Sequence, residues 1–314
     1  MRKAINTEHI EGRVYQHNLV IKTVQRQDSK NYGKEFISGV LEIATDEAGL
    51  NIIPVHFTYV VEITNSGNKN NTFTNLKKII DTDKTWASVG KEDALKVKVD
   101  TALALNDFYT QDNRQVSAKV NEGGFVTIVS ELATDERERN TFSTDMVIMS
   151  TIRTEADPEK NIDKDYLTVK GLIFNFRGDI LPMDFIVENE EGMDYFEGLN
   201  ASQNEPVYTK VWGKITNNSI SNEIVEDSAF GAPEVRTFER KVKRWVITGT
   251  AKVPYDFGDE NVLTMAELEK AAQDRELMLA EKKKSAEENR ASATPTAPST
   301  PVNTATITKA TFNF

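Results

Sequence analysis

The chain contains no cysteine, which excludes disulfides, thiolate zinc sites and a cysteine nucleophile together. It has no run of about 18 apolar residues, so no segment reads as a membrane-spanning helix. Met1-Arg2-Lys3-Ala4-Ile5-Asn6 carries charge with no apolar stretch behind it, unlike a secretory signal. These absences lead us to expect a cytoplasmic protein, in a host cytoplasm if viral. Histidine is scarce, and His9, His17 and His56 lack metal-site spacing, so each reads as a surface or strand residue. Asp157, Asn161, Asp163 and Asp165 resemble a calcium loop faintly, without its glycine or its terminal glutamate. There is no P-loop, dinucleotide fingerprint or Gly-x-Ser-x-Gly elbow, and among 49 acids no pair stands out as a catalytic dyad. The chain reads as a non-enzyme with no cofactor and no metal.

What is present is a body large enough for two domains, 314 residues, 39% of them hydrophobic and 28% charged. A net charge of −11 argues at first against a polyanionic partner. Charge is uneven, however, and location decides. Lys77, Lys78, Lys84 and Lys91 surround Trp86, and Arg236, Arg240, Lys241, Lys243, Arg244 and Lys252 surround Phe238 and Trp245. The acids gather elsewhere, at Asp135-Glu136-Arg137-Glu138 and Glu188-Asn189-Glu190-Glu191.

The organising feature is an internal repeat. Ser38-Gly39-Val40-Leu41-Glu42-Ile43 leads to Asn51-Ile52-Ile53-Pro54-Val55-His56-Phe57; Lys170-Gly171-Leu172-Ile173-Phe174-Asn175 leads to Asp179-Ile180-Leu181-Pro182-Met183-Asp184-Phe185. Both copies read as glycine, an apolar run, a polar turn, two aliphatics, proline, one apolar residue, one polar residue and phenylalanine. Alternation predicts a long bent strand from about residue 9 to 24, then strands over 36–43 and 52–63. A short helix over 74–81 and strands over 96–105 and 125–132 follow, the last two joined by a polar loop at 106–115. The second half repeats this β-β-β-α-β-β order: strands over 146–154, 167–176 and 180–187, a helical turn at 192–199, then strands over 207–216 and 244–253. A helix between strands three and four of a five-stranded Greek-key barrel is the OB-fold arrangement. The expected fold is therefore mainly β, with two tandem OB-fold-like five-stranded barrels over 8–133 and 141–257. Thr264-Met265-Ala266-Glu267 is a capping box that starts a helix over 264–290, with a narrow stripe of Leu268, Ala271, Ala272 and Leu279. Residues 291–314, rich in threonine, alanine and proline, read as a disordered tail with an apolar tip.

An OB-fold presents the face made by strands two and three, rimmed by the loops joining strands 1–2 and 4–5. Aromatic rings there stack on unpaired bases while Lys and Arg follow the phosphates. In the first unit the rim holds Arg26, Lys30, Tyr32 and Lys34, then Phe108, Tyr109 and Arg114. In the second it holds Lys160 and Lys164, then Arg236, Phe238, Arg240, Lys241 and Lys243, and the hairpin adds Phe174, Phe176 and Arg177. Tyr208, Lys210, Trp212 and Lys214 alternate along one side of strand four. Trp212 fits a groove lining or the barrel core equally, Trp245 fits the core better, and 240–244 also fits a solvated strand end.

At these residues the chain resembles a bacteriophage-type single-stranded DNA-binding protein, in its repeated hairpin, its element order and its body, tether and tip. The resemblance implies a non-catalytic protein that coats single-stranded DNA during replication or recombination. It also implies recruitment of replication or recombination proteins through the C-terminal tip, here with Phe312 and Phe314. That tip lacks the acids usual in such proteins and carries Lys309, so adding a strand to a partner's sheet edge is the other mode it fits. The alternative reading is a phage structural or assembly protein whose β-domains contact other proteins.

Overall fold

The computed structural model describes residues 3–64, 66–157, 162–226, 234–259 and 262–292, without the side chains of 218–241, 289, 291 and 292. The first half runs β1 (Asn6–His17), β2 (Val20–Thr23), β3 (Glu35–Ala44), β4 (Ile52–Val61), α1 (Asn71–Thr82), α2 (Trp86–Val89), β5 (Lys96–Tyr109) and β6 (Gln115–Val129). After a 3-10 turn (Glu136–Glu138) come β7 (Asn140–Thr154), β8 (Tyr166–Phe174), β9 (Ile180–Val187), α3 (Glu190–Gly198), β10 (Val207–Glu226), β11 (Glu234–Thr250) and α4 (Met265–Ser292). The fold is mainly β, and the described strands form one 11-stranded sheet.

Hydrogen bonding closes that sheet into two five-strand circuits. β1 pairs with β3 and β5, β3 with β4, β5 with β6, and parallel β4 and β6 meet to close the first. β7 pairs with β8 and β10, β8 with β9, β10 with β11, and parallel β9 and β11 close the second. The circuits are joined by an antiparallel pairing of β1 with β7, from Asn6↔Thr144 to Ile10↔Asn140. Nothing in the alternation announced that join, because 140–145 was expected to precede the strand. One apolar core runs through both halves, from Ile10, Leu41 and Val97 to Met146, Phe185 and Ile247. Each such fully buried aliphatic or aromatic residue contributes roughly 1.5–3 kcal/mol.

The repeated hairpins differ in one detail from the sequence alignment. Pro54 lies opposite Glu42 and Pro182 opposite Leu172, but Gly39 faces Phe57 whereas Gly171 faces Met183. The prolines therefore correspond while the glycines sit two residues apart. Gly39 takes φ 136° at a bulge, where a Cβ would strike the Asn18 carbonyl. Gly171 is extended and pressed against the Val147 carbonyl.

The largest departure concerns the strand 4–5 hairpins. Residues 106–115 are mostly strand, turning only at Thr110–Arg114, and β10 and β11 pair out to Glu226↔Glu234. A two-stranded ribbon satisfies its own backbone beyond the core, so it needs no apolar alternation to persist. Polar sequence in that position looks like loop. Helix α1 starts earlier than expected because Asn70 caps it, accepting from the Thr72 amide at 3.0 Å, and it buries Phe73, Leu76 and Ile79. Trp86 starts the unforeseen α2 and packs on Tyr15 at 6.1 Å, with Lys91 5.7 Å from its ring centre. The Thr264–Glu267 capping box forms as expected: Glu267 donates its amide to the Thr264 hydroxyl at 3.2 Å and accepts from the Thr264 amide at 3.0 Å. No helix among the described residues is long and apolar enough to cross a membrane. The expected tail, with Phe312 and Phe314, lies outside the described residues.

Candidate nucleic-acid interface

In the first circuit the face of β3 and β4 carries an aromatic group the sequence reading did not single out. Phe36 and Tyr59 stack with ring centres 4.7 Å apart and planes tilted by 43°. The Tyr59 hydroxyl accepts from Asn31 Nδ2 at 3.2 Å, and Asn31 Oδ1 accepts from Lys34 Nζ at 3.1 Å. The loop after β2 is thereby tied to the ring pair, and it holds Arg26, Lys30, Tyr32 and Lys34 exposed to solvent. Arg26 is clamped by both oxygens of Asp28, at 2.7 and 2.8 Å, and the guanidinium holds that carboxyl below its usual range. Tyr32 is 54% exposed and Tyr59 46%. The missing signal was positional. Phe36 and Tyr59 flank the bulge at Gly39, where alternation breaks and a strand pattern stops telling inside from outside.

The other rim of the first circuit is built differently. Phe108 and Tyr109 stand on β5 and not in a loop; Phe108 is exposed, while the Tyr109 hydroxyl donates to the Leu279 carbonyl of α4 at 3.3 Å. Arg114 is exposed at the turn.

In the second circuit the β8–β9 turn is shaped by Asn175, whose Oδ1 accepts from the amides of Arg177 at 2.9 Å and Asp179 at 3.0 Å. It projects Phe176, at 79% the most exposed large apolar side chain among the described residues, with the Arg177 guanidinium 5.1 Å from its ring centre. Trp212 is 41% exposed on the sheet's outer face, lying over Gly249, beside half-buried Lys210 and Lys214. Burial pushes the Lys214 ammonium below its ordinary value. Tyr208 needs correction. It shares the side of Lys210 and Trp212 but is fully buried, because the chain after β11 folds back over it: Tyr255 lies 4.9 Å away and Leu263 and Leu268 pack on it. It cannot line a groove. Arg236, Phe238, Arg240 and Lys241 lie on the backbone of β11, and their side chains are outside the described ones.

Lys243 and Trp245 belong to a seam between the circuits. Bulges at Asp100/Thr101 and Trp212/Gly213 align the two hairpins, so Thr101 corresponds to Gly213, and Lys119, opposite Leu105, to Lys243, opposite Asn217. These positions are related by a pseudo-two-fold axis through the Glu8↔Phe142 pair. Each long hairpin crosses the proline-bearing strand of the other circuit. Lys119 is salt-bridged to Asp184, the polar residue of the second repeat. Lys243 acts on His56, the polar residue of the first, whose ring burial and that lysine hold below its ordinary value. Asn217 adds to the crossing as a donor: its backbone N–H donates to Asn51 Oδ1 at 2.7 Å and its side-chain amide to the Ile52 carbonyl. Trp245 is buried, as expected, and its Nε1 donates to Glu8 Oε1 at 3.0 Å. The Lys243 and Lys119 ammoniums sit 4.7 and 5.6 Å from its ring centre. Burial pushes Glu8 up and both lysines down to about 8, Lys119 despite the Asp184 carboxylate at its tip. Lys243 is thus committed to the junction.

A family model described as YorF matches residues 5–285. The chain belongs to the YorF family. No curated protein matches this YorF-family chain. Among solved structures it is similar to a deletion mutant of the single-stranded DNA binding protein from Thermus aquaticus, at 11% identity and a TM-score of 0.46, over 83% of this chain and 100% of that one. At that score the likeness is too loose to argue function from.

Proposed function

We propose that this YorF-family protein is a non-catalytic binder of single-stranded DNA with little base preference, that its two strand circuits are OB-fold-like barrels over 8–133 and 141–257, and that it coats unpaired strands during replication or recombination. The observation that carries the reading is the Phe36–Tyr59 ring pair on the β3–β4 face, tied through Asn31 to a loop that exposes Lys30, Tyr32 and Lys34. Exposed rings beside cations suit an unpaired polynucleotide, since every base has a face to stack and every nucleotide a phosphate. Phe176 with Arg177 supplies a second such pair. The chain's net charge of −11 sets the salt behaviour: attraction is confined to these patches, so binding weakens steeply as salt rises.

The test is titration of fluorescently labelled oligo-dT at two salt concentrations, with duplex of the same length as control. Tight binding of the single strand at low salt, lost at high salt and absent for duplex, is the expected result. No anisotropy change with the single strand at low salt would end the proposal.

A further inference from the structure

Helix α4 leaves the second circuit and ends on the first. Its root is apolar: Leu268 is buried with Tyr208 and Leu263, and Ala271 and Ala272 pack against the same group. Past Ala272 the attachment becomes polar. The Arg275 guanidinium donates twice to Asp107, at 3.0 and 3.2 Å, with the two side chains only 9% and 3% exposed. Lys282 Nζ donates to the Asp107 carbonyl at 3.1 Å, and Arg290 to the Thr110 carbonyl at 2.8 Å. Asn113 Nδ2 reaches Glu287 at 3.2 Å, and the Tyr109 hydroxyl lies 3.3 Å from both the Leu279 carbonyl and the Gln115 side-chain oxygen. Basic side chains therefore outnumber acidic ones in the docked contacts, where Glu287 also takes part, while Glu269, Glu276, Glu281 and Glu288 are exposed together with Lys270, Lys283 and Lys284. Between helix, hairpin and the β8–β9 turn lies a cleft of about 300 Å³ bordered by Arg177, Asp274 and Arg275.

The geometry points to α4 as a releasable strap over this cleft. Docked, it holds Tyr109 and covers the cleft with Asp274 on the side of Arg177, which keeps a strand out by occupying its place. Released beyond its apolar root, it opens the cleft between the β5–β6 hairpin and the Phe176-Arg177 turn to a strand. A strand seated in the cleft takes the place of the docked helix, so binding and release are linked. The distal half has few apolar contacts, and a helix of that length is marginal by itself in water. The buried Arg275–Asp107 pair is the lock, since such a pair is costly to break from one side. The inference rests on the single-stranded DNA reading above.

Two forms of the full chain test it. Arg275→Ala with Lys282→Ala unlocks the strap; hydrogen exchange over 275–290 should speed up, and oligo-dT should bind roughly three- to tenfold more tightly over a longer occluded length. Because the chain has no cysteine, Asn113→Cys with Glu287→Cys can be bridged by a bifunctional maleimide to hold the strap down. That form should bind more weakly, and over a shorter length, than its unbridged control. If wild type binds oligo-dT and the unlocked and bridged forms bind it equally, the strap is wrong and the DNA reading stands. If wild type does not bind at all, both fall.

Discussion

The two long hairpins occupy corresponding places and have been put to different uses. β5–β6 crosses β9, is salt-bridged there through Lys119, and carries α4 across its tip. β10–β11 crosses β4 through Asn217 and Lys243, and α4 packs on it near its base, at Tyr208. The seam between them is unequal too. Trp245 on one hairpin fills the place that Asn121 takes on the other, each two residues before the aligned bulge position. A repeated fold supplies two equivalent frames, and single side chains then make one a junction and the other a platform.

Breaking the seam should have the largest effect. Trp245→Ala removes a buried ring with two ammoniums near it and takes from Glu8 one of its hydrogen bonds, leaving that from Thr101, so a loss of about 3–5 kcal/mol is expected in urea denaturation. Asn121→Ala, which loses the hydrogen bond to the Pro54 carbonyl, should cost about 1–2 kcal/mol. Equal losses would mean that the two halves of the seam are energetically alike. Next comes the ring pair: Tyr59→Ala should weaken oligo-dT binding by about 1–3 kcal/mol, whereas Tyr59→Phe keeps the stack and should recover most of it. If anisotropy titrations of both variants match wild type, the β3–β4 face is not the site.

A smaller and conditional effect separates the strapped hairpin from the open face. Tyr109→Ala should leave binding nearly unchanged in the wild-type background and weaken it only alongside Arg275→Ala and Lys282→Ala. A loss already present in wild type would show the tip to be open. The gentlest signal is in pH. Lys243 falls from its ordinary 10.5 to about 8 in the folded protein, so between those values the unfolded chain holds a proton that the native one has released. Its contribution to stability therefore rises with pH across that window. Thermal melts of Lys243→Met should show a smaller rise than wild type over the same range.

The repeat, the order of elements and the capping box were legible because they depend on neighbours in the chain: alternation, glycine and proline placement, and a Thr-x-x-Glu spacing. Phe36 and Tyr59 were not, since the bulge at Gly39 shifts which side of the strand faces out. Tyr208 misled for another reason. Its side of β10 was read correctly, but a segment 47 residues later, around Tyr255, covers it. The length of the two hairpins was hidden because a ribbon outside the core can be polar on both faces.

By itself the sequence determined a mainly β chain of two like halves followed by a helix, since short-range pattern suffices for strands, turns and caps. Only tertiary structure decided that β1 joins β7, that Lys243 and Trp245 are built into a seam, and that α4 lies on Asp107. Those contacts join residues more than a hundred positions apart, and their energies come from burial and charge pairing that no local pattern encodes.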